Sequence, residues 1–193
     1  LKRTGRLAVW LGLAGVVLGS RVDAQSLTPG RPGPIFVLDL RGATSAIPTS
    51  TGLYPNVPDG GSVPARGFGF DAGGHVYLFD LGPARIGLGV NVIGVRGTAL
   101  DATATFSLVA PQLSFNFGSS DGWSYLSLGA GTARVRAEET GSSSAINAGG
   151  GARWFFKRHL AVGFDVRLHM IGADGDTMGS STVFSTSVGF SVK

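Results

Sequence analysis

Asp165, Arg167 and His169 stand at alternate positions in the run from Leu160 to Met170. An acid and a base on one face, with a serine nearby, would supply the residue types of a nucleophilic hydrolase. The same three residues are also what a buried network of ion pairs requires. Residue types mean catalysis only when their geometry is known, and interior charges perturb one another without doing chemistry. The structural reading is therefore the expectation, and no catalytic residue, cofactor or metal ligand is assigned. Glu138, Glu139, Asp174 and Asp176 do not change this, because Asp174-Gly175-Asp176 lacks the further oxygen ligands of a calcium loop. They read as a solvated rim.

The run itself has strict period two. Leu160, Val162, Phe164, Val166, Leu168 and Met170 form one face, and Ala161, Gly163, Asp165, Arg167 and His169 form the other. Such alternation is a β-strand. A soluble sandwich turns its apolar face inward, whereas a strand in a membrane barrel turns that face to lipid and packs its polar face inside.

Alternation and turn residues mark eight strands, at about 34–42, 66–80, 84–97, 104–117, 123–136, 144–156, 159–172 and 182–192. Each is long enough to cross a bilayer, which takes about 9 to 11 tilted residues. The connections at 81–83, 118–122 and 157–159 are tight, and those at 43–65, 98–103, 137–143 and 173–181 are longer or more variable. Short turns at one end and longer loops at the other predict an all-β fold, an eight-stranded antiparallel up-and-down transmembrane barrel. The fourth strand carries apolar residues in one phase at Phe106-Leu108-Ala110 and in the other at Leu113-Phe115-Phe117, which predicts a β-bulge at Pro111. Ala148-Gly149-Gly150-Gly151 would ruin a helix but suits a small barrel, where glycine gives large neighbours room.

Composition fits this plan. The chain has 193 residues, enough for one domain, and only 15% are charged. No apolar stretch reaches the length of a membrane helix, but alternation hides a barrel from hydropathy. Residues 1–24 have the form of a secretory signal peptide: Lys2, Arg3 and Arg6, an apolar run Leu7 to Leu18, then Val22-Asp23-Ala24. At about 1.5 Å per residue that run falls well short of a hydrocarbon core of about 30 Å, so it is not a span. The organisation expected is a signal peptide over 1–24, a lead-in over 25–33 and a barrel over 34–193. Cleavage removes Lys2, Arg3, Arg6 and Arg21 against Asp23 alone, leaving a nearly neutral chain. That excludes a case for nucleic-acid binding, which needs a clustered basic face. Without cysteine there is no disulfide framework and no lipidated thiol.

Sorted by height, the aromatic residues fall into two girdles. Phe36, Phe79, Phe115, Phe117, Trp123, Tyr125, Trp154, Phe156 and Phe190 lie near the short turns or chain ends, and Phe68, Phe70, Phe106 and Phe184 lie towards the long loops. These are expected at the two membrane interfaces. Asp39, Arg41, Asp71, His75, Asn91, Arg153, Asp165, Arg167 and His169 are expected inside, where eight strands leave room only for side chains that pair with one another. A turn at Lys157 to His159 sets Arg153 opposite Gly163, and across that glycine Arg153 is expected to reach Asp165. The longest loop, 43–65, combines four prolines with Leu53, Tyr54 and Val57, a stiffened loop with apolar tips suited to a partner.

The passage Ile146 to Met170, INAGGGARWFFKRHLAVGFDVRLHM, together with the signal peptide and eight alternating strands, resembles the bacterial outer-membrane family of OmpA-like and OmpX-like small barrels. The resemblance implies a porin-like cell-envelope protein of a Gram-negative bacterium, in contact with outer-membrane lipid, monomeric, and inserted by the barrel-assembly machinery. That machinery commonly recognises a final strand ending in an aromatic residue. Phe190 matches, whereas the terminal Val192-Lys193 departs from the pattern. The function expected is non-enzymatic, structural or surface-interacting, with a plugged interior and an extracellular ligand at loops 43–65 and 173–181. The alternatives are a secreted lipocalin-like barrel for a small hydrophobic ligand, and an outer-membrane lipid-modifying enzyme with His169 or His75 as base.

Overall fold

The computed structural model describes residues 36–119 and 121–193. The signal peptide and the lead-in lie outside the described residues. Eight strands follow one another: β1 (Phe36–Ala46), β2 (Arg66–Leu81), β3 (Ala84–Thr98), β4 (Thr103–Ser119), β5 (Gly122–Arg136), β6 (Thr140–Lys157), β7 (Leu160–Ile171) and β8 (Ser181–Val192). Each pairs antiparallel with the next, and β8 returns to β1 to close the barrel. Closure removes the two edges that an open sheet would leave with unpaired backbone groups, a condition that lipid enforces.

Which face points inward is decided by what each face carries. On β7 the six apolar residues face out, while Ala161, Asp165 and His169 are buried. The inversion holds around the barrel: Phe68 is 73% exposed and Arg153 is 0% exposed. Leu38, Leu40, Leu88, Leu126, Leu128, Val188 and Phe190 are also exposed. A continuous apolar wall of this kind does not suit water and marks a membrane-facing surface.

Two bulges adjust the hairpins at the tight-turn end. The β2–β3 register shifts between Tyr77 and Phe79, and the β6–β7 register shifts between Phe155 and Lys157. The bulge expected at Pro111 is absent. Pairing of β3 with β4 runs regularly through Val90 opposite Pro111, and the pairs Val109–Thr132 and Gln112–Gly129 keep the same β4–β5 register on either side. Ala104, Phe106, Leu108, Ala110, Gln112, Ser114 and Asn116 all face inward. The first four are apolar because they face an internal apolar core rather than lipid, so no change of phase is needed.

That core fills the loop end of the lumen. Ile93, Val95, Phe106, Leu108, Val135 and Ile171 pack there. Strand β1 continues to Ala46, so 43–46 is not part of the first loop, and β6 begins earlier than expected, at Thr140. The remaining loop turns through a short 3-10 helix at Thr51–Leu53. Leu53 and Tyr54 are buried in the apolar core together with Met178 from the β7–β8 loop. They are therefore not exposed binding tips, as the sequence suggested, but part of the apolar packing at the loop end. The loops are tied to one another: Asn56 N donates to Glu138 Oε2 (2.8 Å), Ser62 N to Asp101 Oδ2 (2.7 Å), and Gly179 N to Ser50 Oγ (3.1 Å).

Replacing Leu53 with aspartate places a carboxylate where the surroundings are apolar, and burying such a charge costs several kcal/mol or forces the segment out. The expected result is faster proteolytic nicking within 47–65 with the β-sheet circular dichroism unchanged. Burial also pushes the Tyr54 phenol above its ordinary value of 10.0. The folded state then holds the phenolic proton more tightly than the unfolded one, so this stabilisation is present below pH 10 and is lost as the pH rises above it. Nicking of the loop should accelerate in that window, and Tyr54→Phe should remove this pH dependence.

Candidate functional site in the barrel interior

Below the apolar layer the lumen holds three carboxylates, Asp39, Asp71 and Asp165, and three guanidiniums, Arg41, Arg153 and Arg167, all buried. The charges balance. Arg153 grips Asp39 as a fork, Nε donating to Oδ1 at 2.9 Å and Nη2 to Oδ2 at 2.6 Å. Arg41 lies 2.7 Å from the same Asp39 Oδ1 through Nη2 and 3.3 Å from Asp71 Oδ2 through Nη1. Ser191 Oγ donates to Asp39, and both Ser187 Oγ (2.7 Å) and Asn91 Nδ2 donate to Asp71. Bidentate charge-assisted contacts of this kind are the strong ones, and they offset the cost of taking ions out of water.

A second cluster surrounds Asp165. Arg167 donates from Nε and Nη2 at 3.1 and 2.9 Å, and Tyr125 donates its hydroxyl at 2.6 Å. Arg167 Nη1 continues to Asn147 Oδ1 (2.9 Å), which also accepts from Gln112 Nε2 (2.9 Å), and Gln112 Oε1 lies 3.3 Å from His75 Nε2. All eight strands contribute to these clusters or to the serines that serve them.

Glycine makes the crossings possible. Arg153 is opposite Gly163, Gly163 is opposite Gly189, and Gly189 is opposite Arg41, so two long side chains converge over residues that have none. The row Tyr125, Gly151, Asp165 works likewise. A Cβ on Gly151 would stand 1.9 Å from the Phe164 carbonyl oxygen and 2.9 Å from the Tyr125 hydroxyl. Gly151→Ala is therefore expected to destabilise the barrel by about 1–3 kcal/mol, as overpacking does, measured by denaturant unfolding in detergent.

Asp39, Arg41, Asp71, His75, Asn91, Arg153, Asp165, Arg167 and His169 all point inward and are buried. The expected partner of Arg153 is corrected. The register puts Arg153 opposite Gly163 as derived, but the guanidinium crosses to Asp39 on β1 while Asp165 takes Arg167 and Tyr125. Pairing across a closed lumen joins strands far apart in sequence, which reasoning from one hairpin does not reach. Three of the expected interface aromatics are also corrected. Trp123, Tyr125 and Phe106 lie inside, because the same alternation that turns Leu126, Leu128 and Val109 outward turns them inward. Tyr125 gives its hydroxyl to Asp165 and its ring to Arg153, whose guanidinium carbon sits 4.0 Å from the ring centre; Phe106 meets His169 edge-on. Phe36, Phe79, Phe117, Trp154, Phe156 and Phe190 point outward near the turns, and Phe68, Phe70 and Phe184 near the loops.

Gln112, Asn147, Ser187 and Ser191 are members of the network that the sequence reading did not name. Asn147 was detectable, since it shares a phase with Arg153. Gln112 was detectable too, since it alternates with Leu113, Phe115 and Phe117 on the outward face. His169 Nε2 lies 2.8 Å from Ser185 Oγ, but its Nδ1 has no hydrogen-bond partner and Asp165 is committed elsewhere. A fully buried pair without an orienting carboxylate lacks the geometry of a hydrolase triad. Among the described residues no three His, Asp or Glu side chains gather as a metal site.

An all-β ring of eight up-and-down strands, apolar outside and ionic inside, is the architecture of a small outer-membrane barrel. The chain has the fold of Ail, the attachment invasion locus protein of Yersinia pestis, at a TM-score of 0.55 and 14% identity over 81% of this chain and 96% of that one. It likewise has the fold of Neisserial surface protein A, at a TM-score of 0.60 and 13% identity over 84% and 99% of the two chains. No family model and no curated protein matches the sequence.

Proposed function

We propose that this chain is a non-enzymatic outer-membrane barrel, exported through its N-terminal segment, whose lumen is a permanent plug and whose loops present a surface to the environment. The observation that carries this reading is the inverted distribution of side chains: apolar residues line the outside of a closed barrel while a neutral ionic network fills the inside. A lipocalin-like carrier needs the reverse, an apolar lumen open to a ligand. The cross-lumen pairs and the stopper of Leu53, Tyr54 and Met178 support a barrel that does not conduct. Surface interaction is in keeping with the attachment and surface proteins that share the fold. Leu100, 95% exposed at the tip of the β3–β4 loop, is an apolar contact available to a partner.

The test is fractionation and conductance. The mature chain should remain with outer membranes and need detergent for extraction, and the purified barrel in a planar bilayer should give no steady single-channel current. A mature protein soluble without detergent would refute the membrane reading, and a stable open conductance would refute the plug.

A further inference from the structure

The outer wall of β3, β4 and β5 carries a feature that the plug does not use. Arg96 is opposite Thr105, and Thr105 is opposite Arg136, so two outward arginines flank one threonine in a single row. Two residues nearer the membrane centre, Arg134 is opposite Ser107. All three arginines are exposed, and among the described residues none of them forms an ion pair. Of the acids nearest in sequence, Glu138 accepts from Asn56 N and Asp101 from Ser62 N, while Glu139 is exposed beyond the end of β5. Neighbouring strands are about 4.8 Å apart, so Arg96 and Arg136 stand within reach of one anionic group between them.

Directly below lies an apolar groove. Pro111 has no N–H to give to the ladder, and Ala110 and Pro111 are unpaired with β5 between the pairs Val109–Thr132 and Gln112–Gly129. With only Ala130 across from it, the wall dips into a shallow, open groove of about 470 Å³ lined by Leu88, Pro111, Leu113, Leu128, Ala130 and Ile146. A smaller recess of about 200 Å³, lined by Ser107, Val109, Thr132, Arg134 and Arg136, leads towards it from the basic patch. From Ser107 to Pro111 is about 13 Å along the strand. A basic, hydroxyl-bearing patch at the loop end with an apolar recess beneath it matches an amphiphile whose anionic head lies at the interface and whose chain descends into the bilayer.

We infer that the β3–β5 wall binds a phosphorylated lipid of the outer leaflet, its phosphate held by Arg96, Arg134 and Arg136 with the hydroxyls of Thr105 and Ser107, and one acyl chain lying in the Pro111 groove. The inference rests on the membrane reading above. Guanidinium forks suit phosphate oxygens, and at this depth low dielectric strengthens the pairing.

The experiment titrates the detergent-solubilised mature barrel with bis-phosphorylated lipid A and with its dephosphorylated form, reading bound lipid by native mass spectrometry. The wild type is expected to prefer the phosphorylated form by about tenfold, the size that one or two charge-assisted contacts supply. Arg134→Gln with Arg136→Gln should abolish the preference; if that pair does not fold, Arg96→Gln should reduce it. Ala130→Trp, which fills the groove, should weaken both lipids together and keep their ratio. Lys157→Gln with Arg158→Gln, at the opposite rim, should change nothing. No preference in the wild type, a preference that survives loss of the arginines or falls with the opposite-rim pair, an inert Ala130→Trp, or displacement of the lipid by inorganic phosphate would each overturn the inference. A chain that needs no detergent would instead refute the membrane reading, so the two failures are distinguishable.

Discussion

Arg153→Ala is expected to cost about 3–5 kcal/mol, the usual consequence of removing one partner of a buried ion pair. The size follows from what is left behind. Arg153 supplies both hydrogen bonds of a fork to Asp39 and is itself fully buried, so its loss leaves Asp39 with Arg41 and Ser191, and leaves the lumen with one carboxylate in excess. The ring face of Tyr125 also loses its cation. Asp39→Asn added to Arg153→Ala removes the excess charge, because Asp71 and Asp165 then balance Arg41 and Arg167. The double variant should recover at least part of the loss, giving a coupling energy well above the few tenths of a kcal/mol seen for independent sites. Guanidinium unfolding of the refolded barrel in detergent measures Arg153→Ala, Asp39→Asn and the double variant. A single substitution as mild as a surface change, within about 0.5 kcal/mol, would mean that the network is ornamental.

Val166→Arg on the outward face of β7 should cost about 2–4 kcal/mol in a bilayer, because a cation at the midplane has no water to solvate it. Val166 lies midway along its strand, between outward Phe164 and Leu168. Met170→Arg, on the same face but near the loop end, should cost only about 0–1 kcal/mol, since there the side chain reaches the interface. The difference between the two positions is the informative quantity. In a water-soluble barrel both sites would face solvent and both changes would fall within about 0.5 kcal/mol. Unfolding from phospholipid vesicles gives the comparison.

Much of the barrel was legible because strand chemistry is local. Period two along Leu160 to Met170 fixed which residues share a face, and the alternation of short and long connections fixed the up-and-down order. The nine inward polar residues could be read for the same reason. The errors arose where a second environment imitated the first. Phe106, Leu108 and Ala110 look like a lipid-facing run because the apolar core at the loop end of the lumen makes the same demand on side chains as lipid does. Trp123 and Tyr125 look like girdle residues because large aromatics suit both a membrane interface and an ionic interior, where Tyr125 bonds Asp165 through its hydroxyl and the Trp123 ring lies beside Arg153.

Sequence by itself determined the faces, the strand count and the inverted polarity, since these depend on residue type and on neighbours one hairpin away. It also determined that the interior charges would have to pair, because unpaired ions in a narrow lumen are too costly. Only the tertiary structure decided the partners. Closure brings β1 within reach of β6, so Arg153 meets Asp39 from 114 residues away, and the loops fold back to place Leu53 and Met178 in the apolar core. Those contacts depend on the circumference and stagger of the closed barrel, and no periodicity along a single strand contains that information.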